Sequence, residues 1–171
     1  AEWRFMPDTI LNAGAMYEHN SISGGETSPR LAINHHLTQH HTLRASVTRA
    51  YRTPSLYEHR ADTAFRFPDG VALDRTIKSN RSLVPERITT YELGYTGEFP
   101  LRSALLDIRL YRDTIRDIIT TPSLDPTVSD LLGNGGASFR NDGYAEVSGA
   151  DIQLAWRPTP RTRLLLGYAH A

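Results

Sequence analysis

Within residues 141–157 the apolar side chains Ala150, Ile152, Leu154 and Trp156 alternate with Gly149, Asp151, Gln153 and Ala155. A period of two builds a β-strand with one apolar and one wet face, because successive Cβ atoms point to opposite sides; a helix would repeat near every 3.6 residues. The same alternation marks 9–20, 30–37, 42–52, 87–99, 105–119 and 162–171, so that seven stretches read as strands.

The two parities differ in chemistry from stretch to stretch. Leu11, Ala13, Ala15 and Tyr17 stand against Asn12, Gly14, Met16 and Glu18; Leu43, Ala45 and Val47 against Arg44, Ser46 and Thr48. Tyr91, Leu93, Tyr95 and Phe99 oppose Thr90, Glu92, Thr96 and Glu98, and Leu106, Ile108 and Leu110 oppose Asp107, Arg109 and Tyr111. In the last stretch Leu164, Leu166 and Tyr168 oppose Arg163, Leu165 and Gly167. A sheet of this pattern puts its apolar side against lipid and its polar side toward a lumen. An outward Arg or Lys costs roughly 2–4 kcal/mol at the bilayer midplane, so Arg44, Glu92, Asp107, Arg109 and Asp151 are assigned to the lumen, facing water, one another or a plug. Tyr17, Tyr51, Phe99, Trp156 and Tyr168 fall near strand ends, where amphipathic rings suit the headgroup zone.

Connection lengths point the same way. The links at 38–41, 100–103 and 158–161 are short, whereas 21–29, 53–86 and 120–140 are longer. Short turns on one rim and long loops on the other are the signature of an outer-membrane barrel, and with the 9–20 strand running outward every long loop lies outside. A loop of the length of 53–86 is uncommon in a soluble domain.

Composition narrows the function classes. Nineteen basic and nineteen acidic side chains give zero net charge, so no global field favours nucleic acid. The chain has no cysteine, which removes disulfides, thiolate metal sites and cysteine nucleophiles. No apolar run reaches the ~18 residues of a membrane-spanning helix, and a β-barrel would show none. The chain opens on Ala1-Glu2-Trp3-Arg4-Phe5, without Met or signal-peptide order, and ends inside a strand pattern at Ala171, as expected of a piece of a longer protein.

His35, His36, His40 and His41 cluster at one turn, but alternation separates His35 from His36 and no thiolate or carboxylate completes a tetrahedral set, so they read as solvated turn residues and no metal site is assigned. Gly133-Asn134-Gly135-Gly136 lacks the Lys-Ser/Thr of a phosphate loop and reads as a flexible outer loop. Asp107, Asp151, Glu92 and Glu98 could form acid–base pairs, yet no nucleophile or activated base accompanies them; no catalytic residue and no cofactor is assigned. The 53–86 loop is the main binding candidate. Tyr57, His59, Arg60, Phe65, Arg66, Phe67, Arg75, Lys78 and Arg81 mix rings and cations suited to an anionic or aromatic chelate.

The segments 28–34 and 43–58, then Leu83-Val84-Pro85-Glu86-Arg87 leading into Tyr91-Glu92-Leu93-Gly94-Tyr95, then Tyr111–Ile119 with its Asp117-Ile118-Ile119 ending, then Asn141–Asp151, resemble in order the barrel of TonB-dependent outer-membrane receptors. The resemblance covers nearly the whole chain. It implies an all-β fold: an antiparallel meander of about seven strands, residues 1–171 being part of a 22-stranded transmembrane β-barrel with short periplasmic turns and long extracellular loops. It further implies import of scarce ligands such as ferric siderophores, haem or cobalamin, without covalent catalysis. The partners it implies are outer-membrane lipid of a Gram-negative cell, a plug domain, the TonB complex and a small chelate, with no nucleic acid. Plug, TonB box and both barrel flanks are absent from these residues. A passive porin or adhesin-type barrel, or a soluble all-β domain packed sheet on sheet, shares the alternation.

Overall fold

The computed structural model describes residues 1–125, 132 and 136–171. Its elements in chain order are β1 (Glu2–Met6), β2 (Thr9–Asn20), β3 (Gly24–Thr38), β4 (His41–Arg52), α1 (Leu56–Arg60), β5 (Thr63–Arg66), β6 (Ala72–Ile77), β7 (Glu86–Phe99), a 3-10 turn (Pro100–Arg102), β8 (Ala104–Asp125), β9 (Gly136–Thr159) and β10 (Thr162–His170). One sheet runs β1-β2-β3-β4-β7-β8-β9, with β10 on the far side of β9, and every one of these neighbours is antiparallel. β1 and β10 form the two edges and do not pair with each other, so the sheet is open.

All seven alternating stretches are strands of this sheet. β1 is an eighth: Trp3 and Phe5 alternate with Glu2 and Arg4, but five residues are too few for the pattern to stand out. Two loops are shorter than the alternation implied. The 21–29 link shrinks to a turn at 21–23, because Gly24 to Pro29 continue the ladder opposite Asn20 to Ala15. Pro29 has no N–H to give, and it sits where β3 pairs with β2 alone, since the β3–β4 ladder begins only at Arg30 and Thr48. β8 and β9 likewise run far past their neighbours, pairing with each other out to Asp125 and Gly136.

Register explains why the faces are chemically pure. Residues directly opposite in a ladder share a face. Leu11, Ile33, Ala45, Leu93, Leu110 and Ala150 lie in one row across six strands, and Leu43, Tyr95, Ile108, Ile152 and Tyr168 form the row below. The other face carries the row Asn34, Arg44, Gly94, Arg109 and Asp151. A slip of one residue in any strand would send its charges to the apolar side.

The ladder is interrupted where β8 and β9 pass their neighbours. Asp117 takes a left-handed conformation, with φ 59°, and the register shifts between Arg116 and Ile118. Gly143 stands opposite, where a Cβ would come 2.7 Å from the Ile118 Cβ. A bulge of this kind bends the strand and re-aims side chains beyond it.

The buried core lies at one end of the sheet rather than along its faces. Large apolar residues on the sheet are open, with Leu93 61% and Leu166 60% exposed, as suits a surface whose partner is lipid. The buried apolar side chains among the described residues, Pro54, Leu83, Ile119 and Phe139, gather instead at the outer strand ends. There the expected 53–86 loop is folded. Ser55 caps α1 in a reciprocal box with Glu58, and β5 and β6 form a hairpin. The segment is tied to β9 by backbone and side-chain bonds. Ile77 bridges Ala137 in parallel and Lys78 N–H donates to the Ala137 carbonyl at 2.9 Å. Asn80 Nδ2 donates to the Phe139 carbonyl at 2.8 Å, and Asn141 both accepts from the Val84 N–H and donates to its carbonyl at 2.9 Å. Asn141 Nδ2 also reaches the Asp117 carbonyl at 2.7 Å, so the bulge and the cap share one side chain.

Candidate functional site

Among the described residues, the largest groups of paired charges lie in two places. The first is the ionic face of the sheet. Arg44 on β4 passes over β7 to reach Asp107 on β8, its NH2 3.2 and 3.1 Å from the two carboxylate oxygens, while Thr96 donates to the same carboxylate at 2.7 Å. The path crosses Gly94, where a Cβ would stand 2.8 Å from the Arg44 Nε; a side chain there would displace the arginine. Farther along the row of Arg44, Arg109 donates to Asp151 Oδ2 from both Nε and NH2, at 3.0 and 2.5 Å, and its NH1 lies 3.8 Å from Glu92. The Arg109 guanidinium also lies 5.2 Å from the centre of the Tyr111 ring. All five lumen candidates from the sequence thus fall on one face and pair with one another. Among the described residues Arg44 Nε has no acceptor.

The second place is the cap over the outer strand ends. At its base, Arg52 at the end of β4 donates to Glu86 from Nε and NH2, at 2.6 and 2.5 Å, and to Glu58 of α1 at 3.2 Å from two nitrogens. Glu86 additionally accepts the Ile119 N–H at 2.7 Å, and Glu58 accepts the Ser55 N–H at 2.7 Å. One guanidinium therefore joins the sheet, the cap helix and the buried strand end at Ile119. None of this triad was a candidate from sequence: Arg52 and Glu86 are 34 residues apart and read only as strand termini. The signal that could have found them is their position at the outer ends of strands adjacent in register, Arg52 opposite Glu86.

The ring and cation candidates of 53–86 separate by exposure. Phe65 is 66% and Phe67 44% exposed, flanking exposed Arg66, whose guanidinium donates to the Gly70 carbonyl at 3.2 Å in the hairpin turn. Gly70 has φ +89°, a conformation other residues rarely adopt, and lets that turn close. Arg60 and Arg81 are exposed, and Tyr57 is exposed while meeting Phe139 edge-on at 5.8 Å. His59 is buried, its Nε2 3.1 Å from the Arg81 carbonyl, and Arg75 lies 3.6 Å from Asp62. Lys78 is half-buried at the parallel bridge to β9. Phe65, Arg66 and Phe67 are consecutive exposed residues at the β5–β6 hairpin, with Arg75 on its other strand, whereas His59 is buried and Tyr57 meets Phe139.

The turn histidines have individual partners. His35 meets Thr9, His36 meets Thr42, His40 lies 3.6 Å from Glu98, and His41 hydrogen-bonds the Tyr95 hydroxyl at 2.8 Å. Among the described residues no group of three His, Asp or Glu side chains is arranged to hold a metal. Gly133, Asn134 and Gly135 lie outside the described residues.

An open antiparallel sheet with a lipid-compatible face, an ion-paired face and a folded cap at one rim is a wall of a large transmembrane β-barrel. The family model described as TonB dependent receptor-like, beta-barrel, matches residues 1–171, and the chain belongs to that family. It is 42% identical over 57 residues to the ferric enterobactin receptor of Pseudomonas aeruginosa, covering 33% of this chain and 8% of that protein. It is 27% identical over 168 residues to the probable TonB-dependent siderophore receptor PirA of Acinetobacter baumannii, covering 94% of this chain and 21% of that protein. The crystal structure of a mutant of the ferric enterobactin receptor PfeA from Pseudomonas aeruginosa superposes with a TM-score of 0.75 at 25% identity, over 98% of this chain and 25% of that one. The chain therefore spans only a small part of the length of these relatives. Family members are outer-membrane β-barrels and transport receptors, and the expected all-β receptor barrel stands.

Proposed function

We propose that the chain is part of an active importer in the Gram-negative outer membrane, one that takes up a ferric siderophore with energy from TonB. The relatives named for siderophores support the ligand class, and a ferric tris-catecholate such as ferric enterobactin offers the negative charge and flat rings that Arg66, Phe65 and Phe67 would meet. The observation that carries this reading is the folded cap, which holds an exposed aromatic–basic tip on a rigid base at the outer rim. Tyr57, Arg60 and Arg81 are also exposed in the cap and offer the same chemistry. In the full-length protein the ionic face holds a plug, and no covalent step is involved.

Replacing Phe65, Arg66 and Phe67 together by alanine in the full-length receptor removes two stacking surfaces and one charge-assisted donor, about 2–3 kcal/mol in sum. Ferric enterobactin binding is expected to weaken about 30- to 150-fold, with heat-modifiable barrel mobility on gels unchanged. Wild-type affinity in a folded triple variant removes the tip from the site.

The ionic face gives a second test. Glu92→Gln with Asp151→Asn leaves Arg109 without its carboxylates and alters the charge offered to the plug. The expected result is a plug digested by protease several-fold faster, with normal barrel insertion. Unchanged plug protection and unchanged uptake would mean that these carboxylates serve the barrel wall alone.

A further inference from the structure

Arg157 on β9 and Arg163 on β10 are two cations side by side, with no hydrogen-bonded or ionic partner for either side chain among the described residues. The ladder pairs Trp156 with Leu164 and shifts register before Thr159 and Thr162, which sets the two arginines across from each other. Both have the parity opposite to Trp156 and Leu164, so both lie on the lumen face. Like charges directly opposite in a ladder are destabilising, and an anion between them removes the conflict. Elsewhere on this face Arg44 and Arg109 meet carboxylates, Asp107 for the one and Asp151 with Glu92 for the other. Here the sequence supplies none: 99–106 and 152–171 contain no Asp or Glu, and they add Arg102 and Arg161 at the adjoining turns. The next row up, through Leu105, Ala155 and Leu165, is apolar and separates the pair from Asp107. Glu98, at the far end of that row, lies 3.6 Å from His40. The two arginines line a hollow of about 460 Å³ at the turn end, with Ser103, Leu105, Ala155 and Glu98. The Arg157 N–H donates to the Ser103 carbonyl at 2.9 Å and so ties the rim of the hollow to the neighbouring turn.

We propose that Arg157 and Arg163 form an exit-side subsite for the anionic chelate, which meets them as it leaves the lumen for the periplasm. The inference rests on the importer reading above. Two guanidinium forks suit the anionic oxygens that a ferric catecholate presents around its iron. A lipid headgroup would approach from the opposite face, where Trp156 and Leu164 stand. Both arginines are exposed, and their field is screened beyond ~8 Å at physiological salt. They therefore act on an anion that has already passed along the lumen, not on one outside the cell. A site on a conduction path must hold its ion weakly enough to release it, and two solvated cations meet that condition.

The test uses cells carrying the full-length receptor and radiolabelled ferric enterobactin, with binding measured in de-energised cells and uptake in energised ones. Arg157→Gln with Arg163→Gln is expected to bind as tightly as wild type and to import about tenfold more slowly. Arg157→Lys with Arg163→Lys should keep most of the wild-type rate, because charge carries the site. Wild-type uptake by the inserted glutamine variant overturns the proposal. So does a plug that protease digests faster in that variant without ligand, since the pair would then serve a plug carboxylate. Failure of the wild type to bind ferric enterobactin at all would remove the importer reading, and this inference with it, before any variant is compared.

Discussion

Arg52→Ala is expected to release the 53–85 cap from the barrel rim while the sheet stays inserted. The guanidinium is the shared counter-ion of Glu58 and Glu86, whose side chains are only 15% and 14% exposed. Removing it leaves two largely buried carboxylates facing each other, and breaking such a set costs about 3–5 kcal/mol when fully buried. Because Arg52 itself is 48% exposed, solvent screens part of this, and about 2–3 kcal/mol is expected. That is enough to open a small cap about 30- to 150-fold more often, read as protease cleavage within 53–85 and as a loss of ligand uptake. Normal protease resistance in the variant would locate the cap's anchor elsewhere.

The same triad makes the cap acid-sensitive. Burial works against the Glu58 carboxylate, but hydrogen bonds from Arg52 and Ser55 outweigh it and hold its pKa below the ordinary value of 4.5. A carboxyl depressed on folding contributes stability that is complete above its ordinary pKa and is lost as the pH falls through the lower folded value. Protease sensitivity of the wild-type cap should therefore rise below about pH 4.5, and Arg52→Ala should flatten that dependence.

Phe139→Ala is the second large effect. Phe139 packs with Leu83 and Ile119 in the cap core and receives Tyr57 edge-on, and its neighbour Ser138 is also buried. Truncating a buried Phe costs about 3–5 kcal/mol, transfer and cavity together. A core this small has few other contacts to absorb the hole. Amide exchange across 53–85 should accelerate by at least an order of magnitude, while β2 to β4 exchange as before. Phe139→Leu should recover most of the protection. Protection of the cap in the alanine variant would show that Asn141 and Asn80 hold it without the ring.

The barrel wall was readable because its determinants are local. In a strand the faces alternate strictly, so Leu93 and Glu92 reveal opposite environments from sequence alone, and the pairing found between strands agrees with that parity in every stretch. β1 escaped for want of length, and the outer parts of β8 and β9 because 120–125 and 136–140 do not alternate and carry Pro122. Of the candidate site, Arg44, Glu92, Asp107, Arg109 and Asp151 were legible as one group, since parity alone assembles them. Their partners were not, because whether Arg44 bonds Asp107 depends on a glycine, Gly94, lying between them on a third strand.

The cap shows the opposite case. Its residues read as a loop because α1, β5 and β6 are each too short to declare themselves, and what orders them comes from afar: Asn141 gripping Val84, Arg52 binding Glu58, Phe139 meeting Tyr57. Sequence by itself determined the seven long strands of the wall, their two faces and the family, because the period of the backbone writes those into neighbouring residues. Tertiary structure decided which charges pair, which rings are buried and which of them reach solvent, because those outcomes depend on chain closure over many residues and on space that only the assembled sheet defines.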